Sequence, residues 1–93
     1  VPILSFKKFD EVIERANNND LGLCSYICTN SMDQAHRASE LMETGVVAVN
    51  TPVVAIAEAP FGGIKQTGYG REGGSMAIKD YLNVKYTHLG IKG

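Results

Sequence analysis

Cysteine is the residue type in this chain with the most reactive side chain, because its thiolate is a nucleophile and a metal ligand. The two cysteines, Cys24 and Cys28, lie four positions apart in an apolar run. This spacing matches neither a Cys-x-x-Cys redox pair nor a pair of zinc ligands. His36 and His88 have no second imidazole or thiolate at metal spacing. We therefore expect small buried thiols, two ordinary histidines and no metal site.

Two glycine-rich strings suggest phosphate binding by their letters alone. Residues 68–73 read G-x-G-x-x-G, and residues 62–67 contain Gly, Lys and Thr. The first pattern binds a dinucleotide only when a buried strand precedes it and an acidic residue follows about 20 positions later. Here a loop precedes it and no acidic residue follows Asp80. The second string lacks the P-loop spacing. Neither is therefore predicted to bind a cofactor.

The elements that would position these groups alternate between strand and helix patterns. Residues 1–6, 23–29 and 46–50 are apolar runs of strand length. Two helical patterns separate them, one beginning at Asp10 and one at Ser31, where Ser31 and Gln34 fit a capping box. The order β-α-β-α-β predicts an α/β fold with a mainly parallel sheet and right-handed crossovers.

The chain changes character after the third predicted strand. Residues 51–74 contain two Pro and six Gly without a helical or strand period. A loop of this length within a compact domain usually has a function. Residues 75–82 are predicted to form a short helix, and residues 83–91 alternate like a half-exposed edge strand. An open strand edge tends to pair with another chain, so this last segment is predicted to be a contact site.

Composition limits the class of protein. Ninety-three residues form one domain at most. Nine Lys and Arg against ten Asp and Glu give a net charge of −1, which leaves no basic stripe for nucleic acid. There is no apolar run of the roughly 20 residues that cross a bilayer, and no signal peptide pattern. We expect a soluble, cytoplasmic protein. The start at Val1-Pro2, inside an apolar run and without Met, predicts a piece of a longer polypeptide.

Residues 60–73, Pro-Phe-Gly-Gly-Ile-Lys-Gln-Thr-Gly-Tyr-Gly-Arg-Glu-Gly, closely resemble the P-F-G-G-x-K-x-S-G-x-G-R-E signature of NAD(P)-dependent aldehyde dehydrogenases. Residues 22–30 and 45–50 also resemble segments of that family, and the subfamily most similar is succinate-semialdehyde dehydrogenase. The resemblance implies a C-terminal fragment, with residues 1–82 belonging to the catalytic domain. It implies that residues 83–93 form an oligomerisation strand.

The resemblance also implies two substrate-binding positions. The aromatic residue matched by Phe61 forms part of the wall of the substrate tunnel in the family. A serine that helps to hold the distal carboxylate of succinate semialdehyde is matched by Ala55, beside Ile56, and Pro52 replaces a common Gly. These departures favour a less polar aldehyde, unless an arginine outside this chain recognises the carboxylate.

Four other residues match segments of the family, Asn50 in residues 45–50 and the other three in the signature. Glu72 corresponds to a glutamate on a proton path from the catalytic base, although a buried carboxylate paired with Lys or Arg is an equal alternative. Asn50, Lys65 and Arg71 are interpreted as structural, with Arg71 binding carbonyls or a carboxylate. The family's acidic partner for Arg71 at the subunit contact is matched by Asn83, so a weaker neutral hydrogen bond is expected there.

The nucleophile of the family is a Cys in a G-Q-x-C context, and neither cysteine here matches it. The catalytic residues and the NAD or NADP site are therefore expected to lie outside this chain, and the fragment is expected to be inactive alone. Its partners would be the rest of the same polypeptide, a small-molecule aldehyde and further subunits of a homo-oligomer. The alternative is a free-standing βαβ module that binds a ligand or dimerises.

Overall fold

A computed structural model describes all of residues 1–93. The elements in chain order are helix α1 (Phe9–Asn17), strands β1 (Leu21–Gly22) and β2 (Cys24–Ile27), helix α2 (Met32–Leu41), strands β3 (Val46–Val49) and β4 (Ile64–Lys65), and a 3₁₀ helix (Ala77–Tyr81). The 3₁₀ helix occupies the segment for which a short helix was expected. The chain is therefore α/β, with its regular elements concentrated in the first half.

The centre of the fold is one β-α-β unit. Strands β2 and β3 pair in parallel, with Cys24 opposite Val46 and Ile27 opposite Val49, and α2 is the crossover between them. Ala38 of α2 and Ala48 of β3 are the buried apolar side chains. The hydroxyl groups of Ser25 and Thr44 lie 3.0 Å apart. Because Ser25 is also buried, this hydrogen bond satisfies its polar group inside the core.

The start of α1 differs from the expected cap, whereas α2 begins with the expected Ser31 cap but only half of the capping box. Helix α1 begins at Phe9, its N-cap Lys8 makes no side-chain cap bond, and Asp10 lies inside the first turn. Helix α2 does begin after Ser31, whose Oγ accepts the Gln34 N–H at 3.3 Å. The reciprocal half of the capping box is missing, because the Gln34 side chain accepts a hydrogen bond from the Thr29 hydroxyl at 2.7 Å instead.

A second, antiparallel pair joins the start of this unit to residues 60–74, which we call the Gly-rich loop. Strand β1 pairs with β4, with Leu21 opposite Lys65 and Gly22 opposite Ile64. The Gly22 N–H also donates to the Thr67 hydroxyl at 2.7 Å. The Gly-rich loop is therefore held against the chain just before β2.

The strands predicted for residues 1–6 and 83–91 are not formed. Both segments lack ladder pairing and are exposed, as the complete exposure of Val1 and Val84 shows. A strand requires hydrogen bonds from a neighbouring strand, and nothing in this chain supplies them. The parallel sheet predicted from three strands is thus reduced to the pair β2–β3, and β1 and β4 form a second two-stranded sheet. The protein measures 75 × 24 × 24 Å. Neither helix has the length and apolar character needed to cross a bilayer.

Candidate functional site

The Gly-rich loop folds back on itself between Phe61 and Glu72. These two residues form an antiparallel bridge in which each backbone N–H donates to the other's carbonyl oxygen at 2.7 Å. The Phe61 side chain is half-buried, whereas Glu72 is exposed and forms no ion pair. Within this chain Glu72 is therefore neither buried nor paired with Lys or Arg, and both interpretations of its role in the whole protein stay predictions.

Arg71 fastens the two arms of the Gly-rich loop together. Its guanidinium Nη1 donates to the carbonyl oxygens of Gly63 at 2.9 Å and Gly70 at 2.8 Å. Its backbone N–H donates to the Asp80 carboxylate at 2.8 Å. Because a guanidinium donates in a fixed fork, these bonds set the direction of the loop. Arg71 thus binds carbonyls, one of the two arrangements expected for it.

Asn50 closes the carboxyl end of the parallel pair. Its side-chain Oδ1 accepts the Thr29 N–H at 3.0 Å, and its Nδ2 donates to the Thr29 carbonyl at 2.8 Å. Its backbone is in the left-handed region, with φ at 55°. Asparagine tolerates this conformation better than most residues. The amide therefore continues the β2–β3 pairing by one step and directs the chain into residues 51–59.

Three of the predicted site residues share one cleft and three do not. Phe61, Arg71 and Glu72 line a cleft of 380 Å³ together with Tyr69, Asp80 and Tyr81. Ala55, Asn50 and Lys65 lie outside it, and Ala55 is exposed. Asp80 and Tyr81 were not singled out from the sequence. The one signal for Asp80 was its acidic side chain nine residues after Arg71. A contact across a loop has no fixed spacing in the sequence, so this signal does not identify the partner.

The cysteines differ from their expected burial. Cys24 is half-buried, and Cys28 is exposed at the end of β2, so the expectation of two buried thiols is wrong. Cys28 instead borders a separate apolar groove of 410 Å³ between the two helices. A strand side chain beyond the last ladder pair loses the cover of its neighbour, which accounts for its exposure. No three His, Cys, Asp or Glu side chains are arranged to hold a metal ion.

The chain is similar to known proteins over nearly its whole length. Residues 1–87 match the model of the Aldehyde dehydrogenase family. A 3-sulfolactaldehyde dehydrogenase from Pseudomonas putida is 47% identical over 89 residues, which are 96% of this chain and 18% of that protein. An NADP-dependent succinate-semialdehyde dehydrogenase from Escherichia coli is 40% identical over 90 residues, 97% of this chain and 19% of that protein.

Solved structures show the same relationship. The NAD+ complex of an aldehyde dehydrogenase from Bacillus cereus superposes with a TM-score of 0.87 at 42% identity, covering 96% of this chain and 18% of that one. An aldehyde dehydrogenase from Brucella melitensis gives a TM-score of 0.86 at 43% identity, covering 90% and 17%. The chain therefore spans less than a fifth of the length of the relatives it matches.

Proposed function

Because the chain belongs to the aldehyde dehydrogenase family, we propose that it is the C-terminal part of an enzyme that oxidises an aldehyde to the carboxylic acid with NAD or NADP. The chain would supply one wall of the substrate site and a subunit contact. One observation supports this most directly: the family signature at residues 60–73 is folded into a closed loop, with Phe61 and Glu72 paired at its base.

The cofactor would be bound by another part of the full-length enzyme. Residues 68–73 do not fit a dinucleotide, because they follow a loop and no regular helix begins within them. Their glycines serve the loop instead: Gly70 and Gly73 have φ of 84° and 67°. A glycine adopts this left-handed region without the steric strain that a Cβ would add.

Phe61 has the surroundings that a substrate wall needs. Phe61 is half-buried and lines the cleft, and its backbone is fixed by the pair of hydrogen bonds to Glu72. An apolar ring in a fixed position removes water from an aldehyde before nucleophilic attack. The Glu72 carboxylate lies across the same bridge and is open to water, which suits a group that passes protons to solvent.

The substrate class is set in this proposal by residues 51–59. Ala55 and the apolar Ile56 are both exposed in this chain. Both side chains could therefore face an aldehyde that is bound between this chain and the rest of the enzyme. Neither side chain can donate a hydrogen bond to a carboxylate. We favour a less polar aldehyde than succinate semialdehyde. Succinate semialdehyde becomes the better candidate if an arginine elsewhere in the enzyme binds its carboxylate.

Replacing Ala55 with Ser in the full-length enzyme tests this assignment. The new hydroxyl should improve kcat/KM for succinate semialdehyde relative to an uncharged aldehyde of similar length. The gain should be about 1–2 kcal/mol, or roughly fivefold to thirtyfold, as for one hydrogen bond to a charged group. Steady-state kinetics with both aldehydes would measure it. An unchanged ratio would show that Ala55 does not face the substrate.

The chain alone should not oxidise aldehydes. It lacks a cysteine in the family's nucleophile context, and its glycine strings do not fit the cofactor. The rate of NADH or NADPH formation, measured by absorbance with several aldehydes, should equal the rate without protein. Activity that disappears when Cys24 or Cys28 is alkylated would contradict this expectation. Tight binding of the chain to a separately made N-terminal piece, with recovery of activity, would support the proposed function.

A further inference from the structure

The side chain of Lys65 connects the Gly-rich loop to the ends of both helices. Its ammonium donates to the Asn17 carbonyl oxygen at 2.9 Å and to that of Asn19 at 3.2 Å. It also pairs with the carboxylate of Glu43, between α2 and β3. The Lys65 side chain is 24% exposed, so these contacts are partly shielded from water. An ion pair with such shielding is weakened less by salt than a fully exposed one.

The groups that Lys65 contacts are themselves linked. The Asn17 side chain donates from Nδ2 to the Leu41 carbonyl at 2.8 Å, and its Oδ1 accepts the Glu43 N–H at 2.9 Å. The last carbonyls of a helix lack partners within the helix and favour a nearby cation. Lys65 and Asn17 thus satisfy the carboxyl ends of α1 and α2 with one shared cluster.

The backbone of Lys65 indicates that its side chain is required. Its φ is 56°, in the left-handed region that glycine adopts without strain. A residue with a Cβ is strained there, and such strain persists only where the surrounding contacts hold it. In a loop that uses glycine at six positions, the lysine at this left-handed position is held by the contacts of its ammonium.

We propose that Lys65 is a positioning residue that fixes the Gly-rich loop, and with it Phe61, against the carboxyl ends of α1 and α2. The inference deepens the proposed function and rests on it for the role of Phe61. Without the ammonium, residues 64–67 keep the β1–β4 pairing, the Gln66 N–H bond to the Asp20 carbonyl oxygen and the Thr67 contact, and they lose their link to the ends of the helices. Phe61 lies four residues before Lys65, so its ring would be held less firmly against the aldehyde.

Lys65→Met in the full-length enzyme removes the cation and keeps the length of the side chain. Hydrogen exchange followed by mass spectrometry should show about tenfold faster exchange in residues 60–67, as for loss of a charged hydrogen bond. The KM for aldehyde should rise by about tenfold, and the KM for the nicotinamide cofactor should stay within about twofold. Lys65→Arg can still donate to both carbonyl oxygens. It should therefore keep the hydrogen exchange of residues 60–67 and the KM for aldehyde close to their wild-type values.

Lys79→Met is the matched control, since the Lys79 side chain is exposed and has no ion pair. It should leave exchange and both KM values unchanged. Unaltered exchange at residues 60–67 in Lys65→Met would overturn the proposal. So would equal rises in the two KM values, because a general loss of structure does not discriminate between ligands.

If Lys65→Met does not fold, Glu43→Gln tests the anchoring of the Gly-rich loop by Lys65. This change keeps the carbonyl contacts of Lys65 and removes only the charge of its partner, so exchange in residues 60–67 should rise by about threefold. Exchange equal to wild type in a folded Glu43→Gln enzyme would overturn the proposal. If the wild-type enzyme oxidises no aldehyde, the proposed function fails, while the exchange measurement still tests the anchoring by Lys65.

Discussion

Gly45→Ala in the full-length enzyme is expected to displace the Gly-rich loop and to lower the free energy of unfolding by about 3 kcal/mol. A Cβ at this position would overlap the carbonyl oxygen of Gly62 and lie 2.8 Å from its carbonyl carbon. Gly45 cannot retreat easily, because its N–H donates to the Gly22 carbonyl at 3.0 Å. Since the clash is with backbone on both sides, no side-chain rotation relieves it. Urea denaturation would measure the change.

Gly90→Ala is the control for this substitution. A Cβ built at Gly90 meets no atom within 4 Å, so the free energy of unfolding should change by less than about 0.5 kcal/mol. Aldehyde kcat/KM should also fall in the Gly45 variant, because the displaced arm carries Phe61. Equal stability of the Gly45 variant and wild type would mean that the two backbones do not approach each other in the enzyme.

Truncation after Leu82 is expected to convert the oligomer proposed for the full-length enzyme into smaller species with reduced activity. The removed segment has large apolar side chains in water, with Val84, Tyr86 and Ile91 exposed by 102%, 84% and 88%. Its sequence has the alternating pattern of an edge strand, and its backbone N–H and C=O groups have no partner strand in this chain. Pairing with another subunit would satisfy these groups and bury the apolar ones. Light scattering and steady-state rates would follow the two effects.

Truncation after Ile91 is the matched control, because it removes the exposed end and leaves the alternating segment intact. It should keep the native mass and rate. If the enzyme shortened after Leu82 also kept both, the segment would be dispensable for assembly. Arg71 is expected to contribute little to the proposed subunit contact of residues 83–91. Its guanidinium already donates hydrogen bonds to the Gly63 and Gly70 carbonyl oxygens.

The central β-α-β unit could be predicted because the sequence patterns of its strands and helix lie within short segments of the chain. Strand-length apolar runs flank α2, and Ser31 marks the start of that helix. The strands expected at residues 1–6 and 83–91 depended on partners outside the chain, and alternation of side chains cannot show whether a partner is present. Neither segment forms a strand within this chain, and the pairing of residues 83–91 with another subunit stays a prediction.

The β1–β4 pair and the contacts of the site could not be predicted in the same way. A two-residue strand has no measurable period, and its register follows from the close approach of glycines far apart in sequence. The signature located Phe61 and Arg71 correctly as residues of one loop. It did not indicate Asp80, whose contact with the Arg71 N–H depends on the left-handed backbone at Gly70.

The β1–β4 pairing also determines the order in which the molecule can assemble. Strand β4 leaves the ribosome only after β2, α2 and β3 have been made, so the parallel unit can form before the loop that docks beside it. We expect the closing of that long connection to come late, and contacts made late contribute little to the folding transition state. Damage at the Gly45 contact should therefore accelerate unfolding and leave the refolding rate nearly unchanged, which stopped-flow chevron plots would resolve. In a cell, such a variant would reach its native form at the normal speed and lose it sooner.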